Sequence, residues 1–214
     1  LVLNFVQPYA EVIAALRQRL LQPLPGFEAQ KLMIGRVLPM PPKVPDNARP
    51  SAVLCLLFPK DGRLTVLLMK RREDGTAHSG QVSFPGGSYE QQDADYKATA
   101  LREAQEEVGI MSAEVEVLGA LTSLYIPVSN FNVYPFVGFS TKPPEYRLSH
   151  AEVSHVLEVP LEELFHESRK TITDVISPAM PNIIRQVNAY QLADGTIIWG
   201  ATAMMLSELE AVMK

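Results

Sequence analysis

Apolar residues at Phe5, Tyr9, Val12, Ile13, Leu16 and Leu20 recur every three or four positions, which predicts a helix over 5–21 stopped by Pro23. Pro39, Pro41, Pro42, Pro45 and Pro50 then punctuate a polar stretch, 37–50, that reads as an extended connector. The unbroken apolar run 52–58 reads as a buried strand. Asp61-Gly62 signals a hairpin turn, with 64–69 as the returning strand. After a glycine-containing loop, 81–84 reads as a short strand and 94–108 as a helix closed by Gly109. Strands are expected at 115–124, 132–139 and 156–159, the last leading into a short helix at 160–165 with Pro160 at its start. Ala193-Asp194-Gly195 joins two further strands, 184–192 and 196–199. A terminal helix, 201–213, carries Met204, Met205, Leu209 and Val212 on its apolar face. Strands in the middle and helices set apart predict an α/β (α+β) chain, a mixed sheet with helices packed on it.

Composition narrows the function classes. The 214 residues suit one domain with an appendage, and 47% apolar with 20% charged residues is globular composition. A formal net charge of -5 argues against nucleic acid as a partner, since phosphate neutralisation calls for a basic surface. The single cysteine, Cys55, excludes an internal disulfide framework and a multi-cysteine zinc site. It fits a reducing, cytoplasmic compartment. Its apolar strand predicts a core thiol, not a nucleophile. No run approaches the ~18 apolar residues of a membrane span. Residues 1–6 lack the basic start of a secretory signal. His150, His155 and His166 show no ligand spacing, so zinc is not expected.

The informative chemistry lies on the predicted helix 94–108. Glu103, Glu106 and Glu107 are spaced i, i+3, i+4 and share one face, opposite a stripe of Ala98, Leu101, Ala104 and Val108. The plain reading is a solvated acidic face. Three features argue against it. No lysine stands at i+4 to relieve the carboxylates, although Arg102 adjoins them. The preceding Phe84-Pro85-Gly86-Gly87 loop lets the backbone bend sharply beside the helix. A carboxylate-only cluster also suits hard divalent cations, which bridge to phosphates. Glu90 and Asp93 read as accessory acids or as loop and cap residues, Asp93 being placed to cap the helix.

Gly87, Arg102, Glu103, Glu106, Glu107 and Gly109 resemble the signature of the Nudix hydrolases, a loop–helix–loop module built on Arg-Glu-x-x-Glu-Glu-x-Gly. Asp93 stands where that pattern has glutamate, and the gap from Gly87 to Arg102 is one residue longer. Leu67, Leu68, Arg71, Gly80, Phe84, Pro85, Gly86 and Gly87 are similar, in register, to the extra motif of the coenzyme A pyrophosphatase branch. Met69 replaces its threonine, Arg72 a small residue and Thr76 an arginine. Residues 134–139, 158–161 and 198–203 also resemble this branch.

The resemblance implies a Nudix-type α/β/α sandwich over 51–214, preceded by an N-terminal helix and proline-rich extension, 1–50. It implies Mg²⁺- or Mn²⁺-dependent hydrolysis of the pyrophosphate bond of a nucleoside diphosphate linked to another moiety. The first substrate is coenzyme A or a derivative, giving 3′-phosphoadenosine 5′-phosphate and 4′-phosphopantetheine. Thr76 motivates an alternative on ADP-ribose or a dinucleotide, and a non-catalytic nucleotide-binding domain is a third reading. Glu103, Glu106, Glu107 and the Gly87 carbonyl are the implied metal ligands. Glu106 or Glu152 is the general base, and Arg102 orients the glutamates. Arg71, Gly86, Gly87 and His78 are the implied substrate contacts; Arg71 otherwise reads as a solvated strand-end arginine and His78 as a surface-loop histidine. Trp199 is expected in the core, with a ligand platform as the alternative. The expected partner is a small nucleotide, with neither nucleic acid nor membrane. The N-terminal helix and connector are open to packing in cis or capping a partner subunit in a homodimer.

Overall fold

The computed structural model describes residues 9–35, 39–75, 78–176 and 182–214. Positions 5–8 of the expected first helix, 37–38 of the connector, and Thr76 lie outside the described residues. Helices are α1 (Tyr9–Leu20), α2 (Phe27–Gln30), α3 (Tyr96–Val108), α4 (Leu161–Leu164) and α5 (Gly200–Met213). Strands β1 (Arg49–Lys60), β2 (Arg63–Arg71), β3 (Val82–Ser83), β4 (Gly86–Ser88), β5 (Glu116–Ala120), β6 (Leu124–Ile126), β7 (Phe131–Phe139) and β8 (Val153–Pro160) form one eight-stranded sheet. Strands β9 (Lys170–Ile176), β10 (Ile184–Gln191) and β11 (Ile197–Ile198) form a second sheet of three. Among the described residues no helix is long and apolar enough to cross a membrane.

The main sheet is mixed. β1 turns through Asp61-Gly62 into antiparallel β2, and on its other edge runs parallel to β7, with Ala52 opposite Tyr134 and Leu56 opposite Gly138. β4 returns to β1, so that Gly87 lies opposite Ala52. The apolar run of β1 is unbroken because both faces are covered. Ala52, Leu54, Leu56 and Phe58 pack with Ala100, Ala104 and Val108 of α3. Cys55 and Leu57 point the other way, into a cluster shared with Leu16 of α1 and Leu206 and Leu209 of α5. The Cys55 thiol is buried in the core and burial pushes its pKa up.

The N-terminal segment packs in cis. Val12, Ile13, Leu16 and Leu20 of α1 enter the same core as α5. Glu208, fully buried on α5, accepts from Gln30 Nε2 at 2.8 Å and from the backbone N–H groups of Gly26 and Thr122 at 3.2 Å. These bonds satisfy a carboxylate that would otherwise be costly to bury.

Several elements differ from the sequence pattern, β4 and α2 having no counterpart in it. The expected strand 115–124 is two, β5 and β6, each pairing a different part of β7. β8 starts at Val153, three residues early, because β2 continues to pair with it through a register shift at Lys70/Arg71. β9 has no clear signal in the sequence. Ile172 and Ile176 are 64% and 57% exposed, so its apolar residues do not mark a core-facing stripe.

Candidate functional site

The site is organised by the start of α3. Asp95, not Asp93, caps the helix: its side chain accepts from the Ala98 N–H at 2.8 Å. Gly109 ends it in the left-handed region at φ +81°, which glycine adopts without a Cβ penalty. Stacking of Tyr96 on Tyr134, ring centroids 4.1 Å apart, and the buried Ala100, Ala104 and Val108 fix its rotation on the sheet.

That rotation gives the three glutamates different depths. Side-chain exposure is 60% for Glu106, 14% for Glu103 and 2% for Glu107. The face is therefore not uniformly solvated. Glu107 lies beside the apolar stripe, under β4. It accepts from the Gly86 N–H at 2.8 Å, and Arg71 Nη1 approaches at 3.5 Å. Burial pushes its pKa up to about 8 against those two partners, with Glu103 and Glu152 adding to the rise. Glu103 is also raised, first by burial and then, against Arg102, by Glu106 and Glu152.

Arg102 gathers the loop and the helix. Its Nε and Nη2 donate to both oxygens of Asp93 at 2.9 and 3.1 Å. Nη1 donates to Glu103 and to Glu106, each at 3.0 Å, and Nη2 also reaches the Ser88 carbonyl at 3.0 Å. Asp93 further accepts from Thr99 Oγ1 at 2.8 Å and from the Glu90 N–H at 3.0 Å. The guanidinium holds the Asp93 carboxyl down at about 2. Asp93 is thus the buried anchor of Arg102. Its position next to a helix start hides this role, which depends on a side chain nine residues on folding back.

At Gly86 a Cβ would meet fixed backbone, and at Gly87 it would force the end of a side chain to move. A Cβ on Gly87 would lie 2.4 Å from Glu103 Oε1, and one on Gly86 would lie 2.3 Å from the Ala52 carbonyl oxygen. The Gly86–Gly87 backbone is consequently a thin wall with carboxylates on one side. On the other side is a cavity of 340 Å³. It is lined by Arg71, His78, Phe84, Val128, Phe131 and Trp199 among others. Trp199, immediately before α5, is half-buried and lines this cavity and is not one of the buried core residues. His78 Nδ1 is 3.2 Å from Gln81 Oε1. Arg71 is the side chain common to both compartments. The structure therefore groups Arg71, His78, Gly86 and Gly87 around the cavity, and Arg102, Glu103, Glu106 and Glu107 behind the wall. Glu152, exposed in the turn before β8, acts on Glu103 and Glu107 through charge.

The donor set is chemically suited to a hard divalent cation: carboxylates and a backbone carbonyl, without nitrogen or sulfur. Two of these carboxyls have pKa values raised by burial, so a bound cation would supply the missing counter-charge. Among the described residues no three His, Cys, Asp or Glu side chains already converge as a metal cluster. Arg102 instead holds Glu103 and Glu106 through one nitrogen.

A NUDIX domain family model matches residues 48–181. The chain is 36% identical over 173 residues to the uncharacterized Nudix hydrolase NudL of Photorhabdus laumondii subsp. laumondii, covering 80% of this chain and 89% of that protein. It is 37% identical over 145 residues to the protein of the same description from Pectobacterium atrosepticum, covering 68% and 73%. Its fold is similar to that of a MutT/nudix family protein from Enterococcus faecalis, with TM-score 0.50 and 16% identity over 98% of this chain and 75% of that one.

Proposed function

This chain belongs to the Nudix family, and on that premise we propose that it hydrolyses the pyrophosphate bond of a nucleoside diphosphate linked to another moiety, with coenzyme A or a derivative as substrate. One observation carries the reading. A carboxylate cluster and an apolar cavity are separated only by the Gly86–Gly87 backbone, and Arg71 touches both. A pyrophosphate lying across that wall would meet the acidic side at its reacting phosphorus and the apolar side with its organic groups.

Glu103, Glu106, Glu107 and the Gly87 carbonyl would hold Mg²⁺ or Mn²⁺, which when bound neutralises pyrophosphate oxygens and acidifies a coordinated water. Arg102 positions Glu103 and Glu106 and draws its own rigidity from Asp93. Arg71 receives a phosphate oxygen. Glu152 is the general base: it lies near Glu103 and Glu107, and among the described residues it has no hydrogen-bonding side-chain partner. Glu106 is tied to Arg102 at 3.0 Å and is held toward the metal-binding side. The preference for coenzyme A rests on the branch motif from Leu67 to Gly87 and on the apolar lining of the cavity.

The test is a panel of coenzyme A, ADP-ribose and dinucleotides with Mg²⁺ and with Mn²⁺, the products identified by mass. Cleavage of coenzyme A to 3′-phosphoadenosine 5′-phosphate and 4′-phosphopantetheine is expected. Coenzyme A left intact while ADP-ribose is cleaved overturns the substrate assignment. Nucleotide binding without any turnover overturns the enzyme reading.

A further inference from the structure

A second recess, of 580 Å³, opens beside the apolar cavity and shares Arg71, His78, Val128 and Phe131 with it. Its lining includes Arg49, the first residue of β1, and the turn 127–131. The Arg49 guanidinium lies 4.1 Å from the centroid of the Phe131 ring and donates to the Ser129 carbonyl at 3.0 Å. Its other contacts leave it without a carboxylate partner among the described residues.

The ground under Arg49 is pinned. Asn130 sits in the left-handed region at φ +54° and donates through Nδ2 to the Asn47 carbonyl at 3.0 Å. It accepts from the Tyr125 hydroxyl at 2.9 Å, and its carbonyl accepts from the Arg49 N–H at 2.8 Å. The Ser129 hydroxyl in the same turn is buried with no hydrogen-bond partner. A planar guanidinium stacked on an aromatic ring loses little freedom on binding an oxyanion and offers a fork of donors. The carboxylates of α3 lie beyond the Gly86–Gly87 wall. The pocket is therefore divided by charge: acidic on the α3 side, and basic at Arg49 and Arg71, with the His78 ring beside them.

We propose that Arg49 and His78, beside the pyrophosphate-side Arg71, form a second anion subsite that takes a phosphomonoester of the substrate outside the pyrophosphate being cleaved. This rests on the pyrophosphatase reading and narrows its substrate class to pyrophosphate-linked nucleotides bearing an additional phosphate. The subsite is an affinity and selection device. It takes no part in bond breaking, so its effect falls on KM and on the choice between substrates.

The experiment compares substrate pairs that differ by one phosphomonoester, coenzyme A against 3′-dephospho-coenzyme A and NADPH against NADH. It uses the wild type, Arg49→Gln and Arg49→Lys, with thermal unfolding to match the folded fraction. Calorimetry with adenosine 3′,5′-bisphosphate against AMP reads the same ratio without turnover. The wild type is expected to favour the phosphorylated member by at least ~10-fold in kcat/KM for one pair, and Arg49→Gln to bring that ratio close to one through KM, with Arg49→Lys between them. The preference should weaken as salt is raised. A wild-type ratio near one in both pairs and in calorimetry overturns the subsite. So does an Arg49→Gln variant that lowers both members of each pair equally. Absence of turnover on every substrate overturns the pyrophosphatase reading instead, and the calorimetric ratio then decides the subsite alone.

Discussion

Replacing Asp93 by asparagine removes the charge that anchors Arg102 while keeping the size of the side chain. In the wild type the pair is bidentate at 2.9 and 3.1 Å, with the Asp93 side chain 4% and the Arg102 side chain 17% exposed. An ordinary aspartate near 3.8 held at about 2 corresponds to ~2.5 kcal/mol of stabilisation at neutral pH. Arg102 keeps partners on the solvent side, so screening reduces this to ~1–2 kcal/mol. The folded pKa lies below the unfolded one, so the contribution is complete above the unfolded value and is lost as pH falls through the folded one. About half should remain at pH 3. Urea unfolding at pH 7 should show Asp93→Asn less stable by ~1–2 kcal/mol, with the melting temperature down by ~2–8 °C for a domain of this size. The gap to wild type should shrink on titrating from pH 4 toward pH 2. A gap of less than ~0.5 kcal/mol at pH 7, or one that stays constant with pH, would refute the anchoring role. Turnover gives an independent readout. An Arg102 released from Asp93 no longer fixes Glu103 and Glu106, so kcat should fall more than KM changes.

Glu152→Gln and Glu106→Gln should each lower kcat by at least ~10²-fold, as expected for loss of a base or a ligand; near-wild-type turnover in steady-state assays would remove that residue from the reaction. Millimolar Mg²⁺ or Mn²⁺ should raise the melting temperature of the wild type by binding the folded state, and Glu107→Gln should abolish the shift; an equal shift in the variant would place the metal elsewhere. Gly87→Ala should cut kcat by ~10-fold or more while circular dichroism stays native, because the new Cβ would lie 2.4 Å from Glu103 Oε1 and displace that side chain; unchanged activity would show that Glu103 has room to move.

Much of this molecule is local and could be read residue by residue. Asp61-Gly62 joins β1 to β2 as a hairpin, because a two-residue turn needs only residues that accept its backbone angles. The helix ending at Val108, the glycine that ends it and the shared face of Glu103, Glu106 and Glu107 follow from spacing alone, whereas its start falls at Tyr96, two residues later than the spacing suggests. The double apolar character of β1 follows from its unbroken run, since a strand covered on both faces has no polar alternation to keep.

Other features need parts of the chain that are far apart in sequence. Glu107 is buried because β4 and Arg71 of β2 close over it, while Glu106, one residue earlier, stays in solvent. Trp199 faces the cavity because α5 starts at its rim. The recess at Arg49 requires the 127–131 turn to fold beneath the first residue of β1. Periodicity assigns a residue to a face but carries no information about what covers that face. Depth, and with it the charge state of a buried carboxyl, depends on desolvation by distant neighbours. The residue types and their order along the chain therefore specified the family and its acidic helix. Which carboxylate is buried, which arginine holds the others and where the pocket turns basic were set by packing across the sheet.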